Sequence, residues 1–171
     1  MTLPQNPAFA LLDALGIASE THHHPPLFTV EDSQKLRGSI PGGHIKNLFV
    51  KDKASQFFLI TAEESSSLDL KTIDKTIGAK GRVSFASAEQ LMAHLGVEPG
   101  SVTPLALVND KAGAVRFILE KKLLDFDAIN SHPLTNTMTT TLKTADLLTY
   151  IAATGHEAVL LDLPRRADWP I

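Results

Sequence analysis

The chain has 171 residues, 43% of them apolar and 20% charged, with a net charge of −3 and a pI near 6.1; this is the composition of one soluble globular domain large enough to bury a substantial core. It contains no cysteine, which excludes disulfides, thiolate nucleophiles and cysteine zinc sites. No apolar run approaches the roughly 20 residues of a membrane span, and a weakly acidic total argues against a general nucleic-acid binder.

The opening residues MTLPQNPAFALLDALG lack the basic start of a signal peptide, so a cytoplasmic location is expected. Asn6-Pro7 predicts a helix start, with Asn6 as N-cap and Phe9, Leu12 and Leu15 as the apolar stripe ended by Gly16. A short strand over 17–24 follows, closed by Pro25-Pro26. Thr29 and Asp32 predict a cap for a short helix running to about Arg37. Residues 44–51 and 56–62 predict a β-hairpin turning at Asp52-Lys53-Ala54-Ser55.

Residues 68–77 predict a helix and 82–86 a strand. Ser87, with Gln90 in the capping-box position, predicts a helix closed by Gly96. Residues 105–108 and 114–119 flank Asn109-Asp110-Lys111-Ala112-Gly113 and predict a second hairpin. The threonine-rich segment 135–142 is β-prone. A helix over 144–154, a last strand over 158–163 and a surface tail over 164–171 complete the chain. The fold class expected is α/β: a single compact domain over 1–171, with a mixed, largely antiparallel sheet and peripheral helices.

Chemistry is concentrated in few places. On the strand expected over 44–51, His44, Lys46, Leu48 and Val50 share one face, and Ile45, Asn47, Phe49 and Lys51 the other. Lys46 therefore interrupts an otherwise apolar pattern, either solvated at an edge or held in a pocket for an anion. From Lys35 to Lys53, five basic residues (Lys35, Arg37, Lys46, Lys51, Lys53) face the single acid Asp52. Such a patch is a solvated edge when read as charge alone, or it steers one polyanion. His22-His23-His24 alternates faces on a strand and has no partner motif, so no metal site is expected. No Gly-rich phosphate loop and no GxSxG elbow occurs. The rigid loop Glu98-Pro99-Gly100-Ser101-Val102-Thr103-Pro104 offers backbone N–H groups that could stabilise an oxyanion, or is a plain turn. His132, in Asn130-Ser131-His132-Pro133-Leu134-Thr135-Asn136, could orient water or accept a proton, or simply bond to backbone.

The segments HPPLFTVED (24–32), GGHIKNLFVKDK (42–53), EPGSVTPLALVND (98–110) and INSHPLTNTMTT (129–140), taken in order, resemble the prolyl-tRNA editing family, the YbaK/ProX group of aminoacyl-tRNA deacylases. The likeness runs from about residue 5 to residue 163. The Ile-Lys-Asn-Leu-Phe wording is most similar to the freestanding members that clear alanine from tRNA(Pro).

The resemblance implies a partly barrel-like mixed sheet and hydrolysis of a mischarged aminoacyl ester without a cofactor. It implies that Lys46 is the family's essential lysine, with Asn47 its neighbour, Gly100 the glycine of the GxxxP loop and His132 the histidine of the later motif. On this reading Lys46 contacts the 3′-terminal nucleotide or its ester. Leu27, Phe28, Val30 and Ile45 are candidate pocket walls, with a core role equally open for each. Lys51, Lys53, Lys80 and Arg82 are candidates for acceptor-stem phosphates. The partner expected is mischarged tRNA(Pro), with transient contact to prolyl-tRNA synthetase or an elongation factor and no membrane. A deacylase for another amino acid such as cysteine, a non-catalytic tRNA- or synthetase-binding module on the same fold, and a serine esterase are the competing readings.

Overall fold

The computed structural model describes residues 6–26 and 40–166. Helix α1 (Pro7–Ala14) begins as its sequence dictates, with Asn6 Oδ1 accepting from the Ala8 N–H at 2.9 Å. Strands β1 (Ser19–His23), β2 (Gly43–Lys51) and β3 (Phe57–Glu63) follow, then α2 (Ile73–Ile77), β4 (Ser84–Phe85) and α3 (Ala88–Leu95). A 3-10 turn (Pro104–Asn109) leads to β5 (Val115–Glu120), and a second (Lys121–Asp125) to β6 (Ala128–Ser131). Strand β7 (Met138–Lys143), helix α4 (Thr144–Ala153) and strand β8 (Ala158–Leu161) complete the order.

Among the described residues the strands form one sheet in the order β1-β7-β6-β2-β3-β5-β8, with β4 also on β2. The pairs β1·β7, β6·β7, β2·β3 and β2·β4 are antiparallel; β2·β6, β3·β5 and β5·β8 are parallel. The sheet is thus mixed, as expected. Both faces of its centre are covered. Phe49, Phe57, Leu59, Phe117 and Leu119 pack with α1, α3, α4 and the first 3-10 turn, and the buried Tyr150 hydroxyl of α4 donates to Leu105 O at 2.6 Å. On the other face Val50, Phe58, Ile60, Ala62 and Ile118 pack with Leu68, Ile73, Ile77 and Leu163. Two-sided burial explains why β3, and β5 from Phe117 to Leu119, read as continuous apolar runs.

The expected β2–β3 hairpin forms, with Lys51 opposite Phe57, and its turn is held by Asp52, which accepts from Ala54 N and Gln56 N at 2.8 and 2.9 Å. The Ser87–Gln90 capping box of α3 forms in full, and Gly96 ends the helix in the left-handed region. The second hairpin does not exist. Pro104 starts a 3-10 turn capped by the Thr103 hydroxyl, and both edges of β5 are taken by parallel partners, β3 and β8. A short apolar run with consecutive residues buried carries no period that separates strand from helix. The helix expected over 68–77 is confined to α2, because the Asp69 carboxylate accepts from Lys71 N and the Thr72 hydroxyl and holds a turn instead. The start of the tail is anchored: Pro164 O accepts from Asp69 N at 2.8 Å and Arg166 N donates to Ser67 O. The helix expected around Thr29 to Arg37 and the remainder of the tail lie outside the described residues.

Candidate functional site

Strand β2 organises the site because its partner changes along its length. Its first two residues pair in parallel with β6, Gly43 with Ile129 and His44 with Asn130, and there the ladder stops. A Cβ at Gly43 would sit 2.8 Å from the Phe126 ring, so only glycine allows this approach. The Asn130 side chain donates to Pro41 O and Gly43 O at 3.1 and 3.3 Å and locks the junction. Beyond the His44–Asn130 pair β2 and β6 are no longer bonded, which leaves a split between them; Lys46 lies two residues past it on β2, and His132 lies just past the end of β6.

Lys46 is half-buried, opposite Ala62 on β3. Its Nζ donates to the Ser66 carbonyl in the turn after β3. Burial lowers its pKa, opposed by the carboxylates of Glu120 and Glu63. The ammonium is thus recessed, close to acidic groups and bonded to a carbonyl.

Asn47 projects to the other face. Its Nδ2 donates to Val102 O at 3.1 Å and its Oδ1 accepts from the Thr61 hydroxyl. Asn47 therefore ties the Gly100–Pro104 loop to β2 with no bulge in the strand. Gly100 itself has φ +75, a left-handed conformation that favours glycine, and a Cβ there would meet Asn136 Nδ2 at 3.4 Å. The loop thus touches β2 at one end and the segment after β6 at the other, bridging the split. Ser101 N donates to Glu98 O. Among the described residues no hydrogen-bond partner is found for the N–H groups of Gly100, Val102 or Thr103.

His132 Nδ1 lies 3.0 Å from Met138 O. A carbonyl only accepts, so Nδ1 carries the proton and Nε2 presents a lone pair. Burial lowers the pKa of this imidazole, with the His24 ring, 6.4 Å away between centroids, acting in the same direction. The turn that follows is tightly specified. Leu134 holds φ +67, a strained value for a branched residue, and Asn6 Nδ2 donates to Pro133 O at 2.8 Å. Asn6 is therefore both the cap of α1 and a clamp on this turn. Just before His132, Ser131 is 2% exposed and its hydroxyl is a buried polar atom with no hydrogen-bond partner among the described residues.

The remaining expected residues divide. Ile45 shares the Asn47 face and packs against the main core, on the side of β2 opposite Lys46. Lys51, Lys53, Lys80 and Arg82 gather around the β2–β3 turn. Lys53 N donates to Lys80 O at 3.1 Å, the Lys53 stem lies over Gly81, and Lys51 pairs with Ser84. Lys51 stands five residues from Lys46, roughly 17 Å along the strand, and Lys53 lies in the turn beyond it. Leu27, Phe28 and Val30 lie outside the described residues. His22 faces Glu20 at 3.6 Å, while His24 bonds Pro25 O and the Thr139 hydroxyl, both at 2.8 Å. Sequence reasoning missed Ser66 and Glu120 near Lys46, Asn6 and Asn136 around the loops, and Ser131. For Glu120 a signal existed, a carboxylate closing the apolar strand VRFILE.

The family model described as the aminoacyl-tRNA editing domain matches residues 24–150. Prolyl-tRNA synthetase associated domain-containing protein 1 of Bos taurus is 35% identical over 158 residues, which is 90% of this chain and 92% of that one. Prolyl-tRNA editing protein ProX of Acetoanaerobium sticklandii is 32% identical over 155 residues, covering 90% and 94%. A crystal structure of a proposed trans-editing enzyme for prolyl tRNA synthetase superposes with a TM-score of 0.72 at 19% identity, covering 96% of this chain and 100% of the other, which shows the shared fold. With the family match spanning most of the chain, the protein belongs to the aminoacyl-tRNA editing domain family.

Proposed function

We propose that the protein is a trans-acting deacylase that hydrolyses mischarged tRNA(Pro), with Ala-tRNA(Pro) as its principal substrate. What supports this reading is the end of β2·β6 pairing at His44–Asn130, the recessed Lys46 ammonium, the His132 imidazole bonded through Nδ1 to Met138 O, and a glycine loop whose Gly100, Val102 and Thr103 N–H groups have no hydrogen-bond partner among the described residues. An aminoacyl ester is already activated, so a positioned water, an oxyanion site and an ordered substrate suffice. In the proposed reaction Lys46 holds the 3′-terminal nucleotide. Water attacks the ester carbonyl, and the N–H groups around Gly100 take the developing negative charge. His132 Nε2 orients the water and accepts its proton. The C–O bond to the ribose then breaks, releasing the free amino acid and tRNA with its terminal hydroxyl restored. The free ribose hydroxyl beside the ester assists in ordering the water.

Alanine is smaller than proline, so a pocket of limited width admits the wrong residue and refuses the correct one sterically. Acceptor-stem phosphates engage Lys51, Lys53, Lys80 and Arg82. The names of the relatives support prolyl-tRNA synthetase as a transient partner, and the site of action proposed is the cytoplasm. No helix among the described residues is long and apolar enough to cross a membrane.

The test is a deacylation panel with alanyl-, cysteinyl-, seryl- and prolyl-tRNA(Pro). Preferential release of alanine, with Pro-tRNA(Pro) spared, is the expected result. Faster release of cysteine would reassign the substrate. Binding without turnover on all four would make the chain a non-catalytic tRNA-binding module.

A further inference from the structure

Lys46, Ala62 and Glu120 lie on three neighbouring strands. Lys46 pairs with Ala62, and Ala62 and Glu120 each stand one residue past Thr61–Leu119, the last pair of the parallel β3·β5 ladder. Neighbouring strands lie about 4.8 Å apart, so the outer two of the three residues are close enough for long side chains to converge above the middle one. The middle one is alanine, fully buried and too short to fill the space.

That space is occupied by the turn after β3. Glu120 is 3% exposed, and its Oε1 accepts from Glu63 N at 2.9 Å and from the Ser66 hydroxyl at 2.7 Å. Both donors belong to the turn, and the carbonyl of the same Ser66 takes the Lys46 ammonium. A carboxylate this deep is retained only with strong compensation, and here the compensation is the fixing of that turn.

We propose that Glu120 is a positioning residue for Lys46: its buried carboxylate sets the Glu63–Ser66 turn, and the turn presents the carbonyl that fixes the Lys46 ammonium. The role rests on the deacylase reading for its activity readout and stands apart from it for its spectroscopic one. Glu120 never touches substrate. Released from the turn, Lys46 would keep its charge and lose its direction.

Glu120→Ala is the decisive variant, because it removes the acceptor for both Glu63 N and the Ser66 hydroxyl, whereas Glu120→Gln keeps an acceptor and removes only the charge. The charged groups around Lys46 are Glu120 from β5, Glu63 and Glu64 from the end of β3, and Arg166 from the C-terminal segment. Lys122 lies beyond them, 3.5 Å from Glu63. Removing the Glu120 charge moves the Lys46 titration to lower pH in both variants. The first experiment is NMR of the full chain with 13C-dimethylated lysines, the Lys46 signal being assigned by Lys46→Arg. A displaced Lys46 signal with a lower midpoint is expected in Glu120→Ala, and an unchanged signal would overturn the proposal. The second is deacylation of Ala-tRNA(Pro) across pH. Glu120→Ala should lower kcat/KM about tenfold or more, and Glu120→Gln, with the turn kept, should lose less. Equal rates in wild type and a folded Glu120→Ala would overturn it. Should Glu120→Ala not fold, Ser66→Ala cuts only the hydroxyl link and should give a smaller loss in the same direction; a wild-type rate and wild-type Lys46 signal there would count as refutation. If the native protein deacylates no aminoacyl-tRNA, the deacylase reading fails while the NMR result still judges the positioning role.

Discussion

Replacing Asn47 with alanine tests whether the Gly100–Pro104 loop is held in place from β2. The change removes the donor to Val102 O and the acceptor for the Thr61 hydroxyl. At about 1 kcal/mol for each such bond, the loss is roughly 2 kcal/mol, and a domain of this size loses about 2–4 °C per kcal/mol. The expected fall in Tm is therefore about 4–8 °C. The kinetic effect should be larger, because a loop displaced by about 1 Å can cost on the order of 100-fold in rate. Asn47→Asp separates the two effects. It keeps an acceptor for Thr61 and loses the donor to Val102 O, so its Tm should fall less while its rate falls as far. The assay is single-turnover release of alanine from Ala-tRNA(Pro), alongside thermal unfolding followed by circular dichroism. A folded Asn47→Ala variant that hydrolyses at the wild-type rate would refute the positioning of this loop by Asn47.

Burial holds the His132 pKa below the ordinary histidine value of about 6.5, so an imidazole acting as proton acceptor keeps activity well into the acid range. The acid limb of kcat/KM should lie below pH ~6.5 and vanish in His132→Ala. The same depression makes its stability contribution complete above the unfolded-state pKa and lost as pH falls through the folded one, which urea titrations at several pH values would register. Ser131→Ala removes a buried hydroxyl with no hydrogen-bond partner among the described residues, so unfolding free energy should stay level or rise by about 1 kcal/mol; a clear loss in urea denaturation would show that the hydroxyl is bonded. Lys53→Ala and Lys80→Ala should each reduce the slope of log binding constant against log salt by about 0.7–0.9, as measured by fluorescence anisotropy with labelled tRNA. Unchanged slopes would place the phosphates elsewhere.

Local rules made much of the scaffold legible. Ser87 with Gln90 and Gly96 announced both ends of α3, and Asp52 to Ser55 announced the hairpin. Alternation along β2 correctly separated Lys46 from Asn47. What alternation could not supply was the identity of each residue's partner. The loop that meets Asn47 lies 55 residues away, and the carboxylate behind Lys46 arrives through a parallel ladder that no local pattern encodes. Strand β6 is four residues long, with polar Asn130 and Ser131 inside it, too short to show a period. Pro104–Val108 is uniformly apolar, so its 3-10 geometry is decided by Pro104, the Thr103 cap and the prior claims of β3 and β8 on β5. The roles proposed for Lys46, Gly100 and His132 came from motif resemblance; the fold added the hydrogen-bond partners of Lys46 and His132 and the left-handed backbone of Gly100.

The most direct test of the account compares wild type with Lys46→Ala in single-turnover hydrolysis of Ala-tRNA(Pro) at saturating enzyme, with the fold of each checked by thermal unfolding. Wild type should release alanine, and Lys46→Ala should lose about 100-fold or more in rate while unfolding cooperatively near the wild-type temperature. A folded Lys46→Ala protein that still clears alanine at the wild-type rate would contradict it.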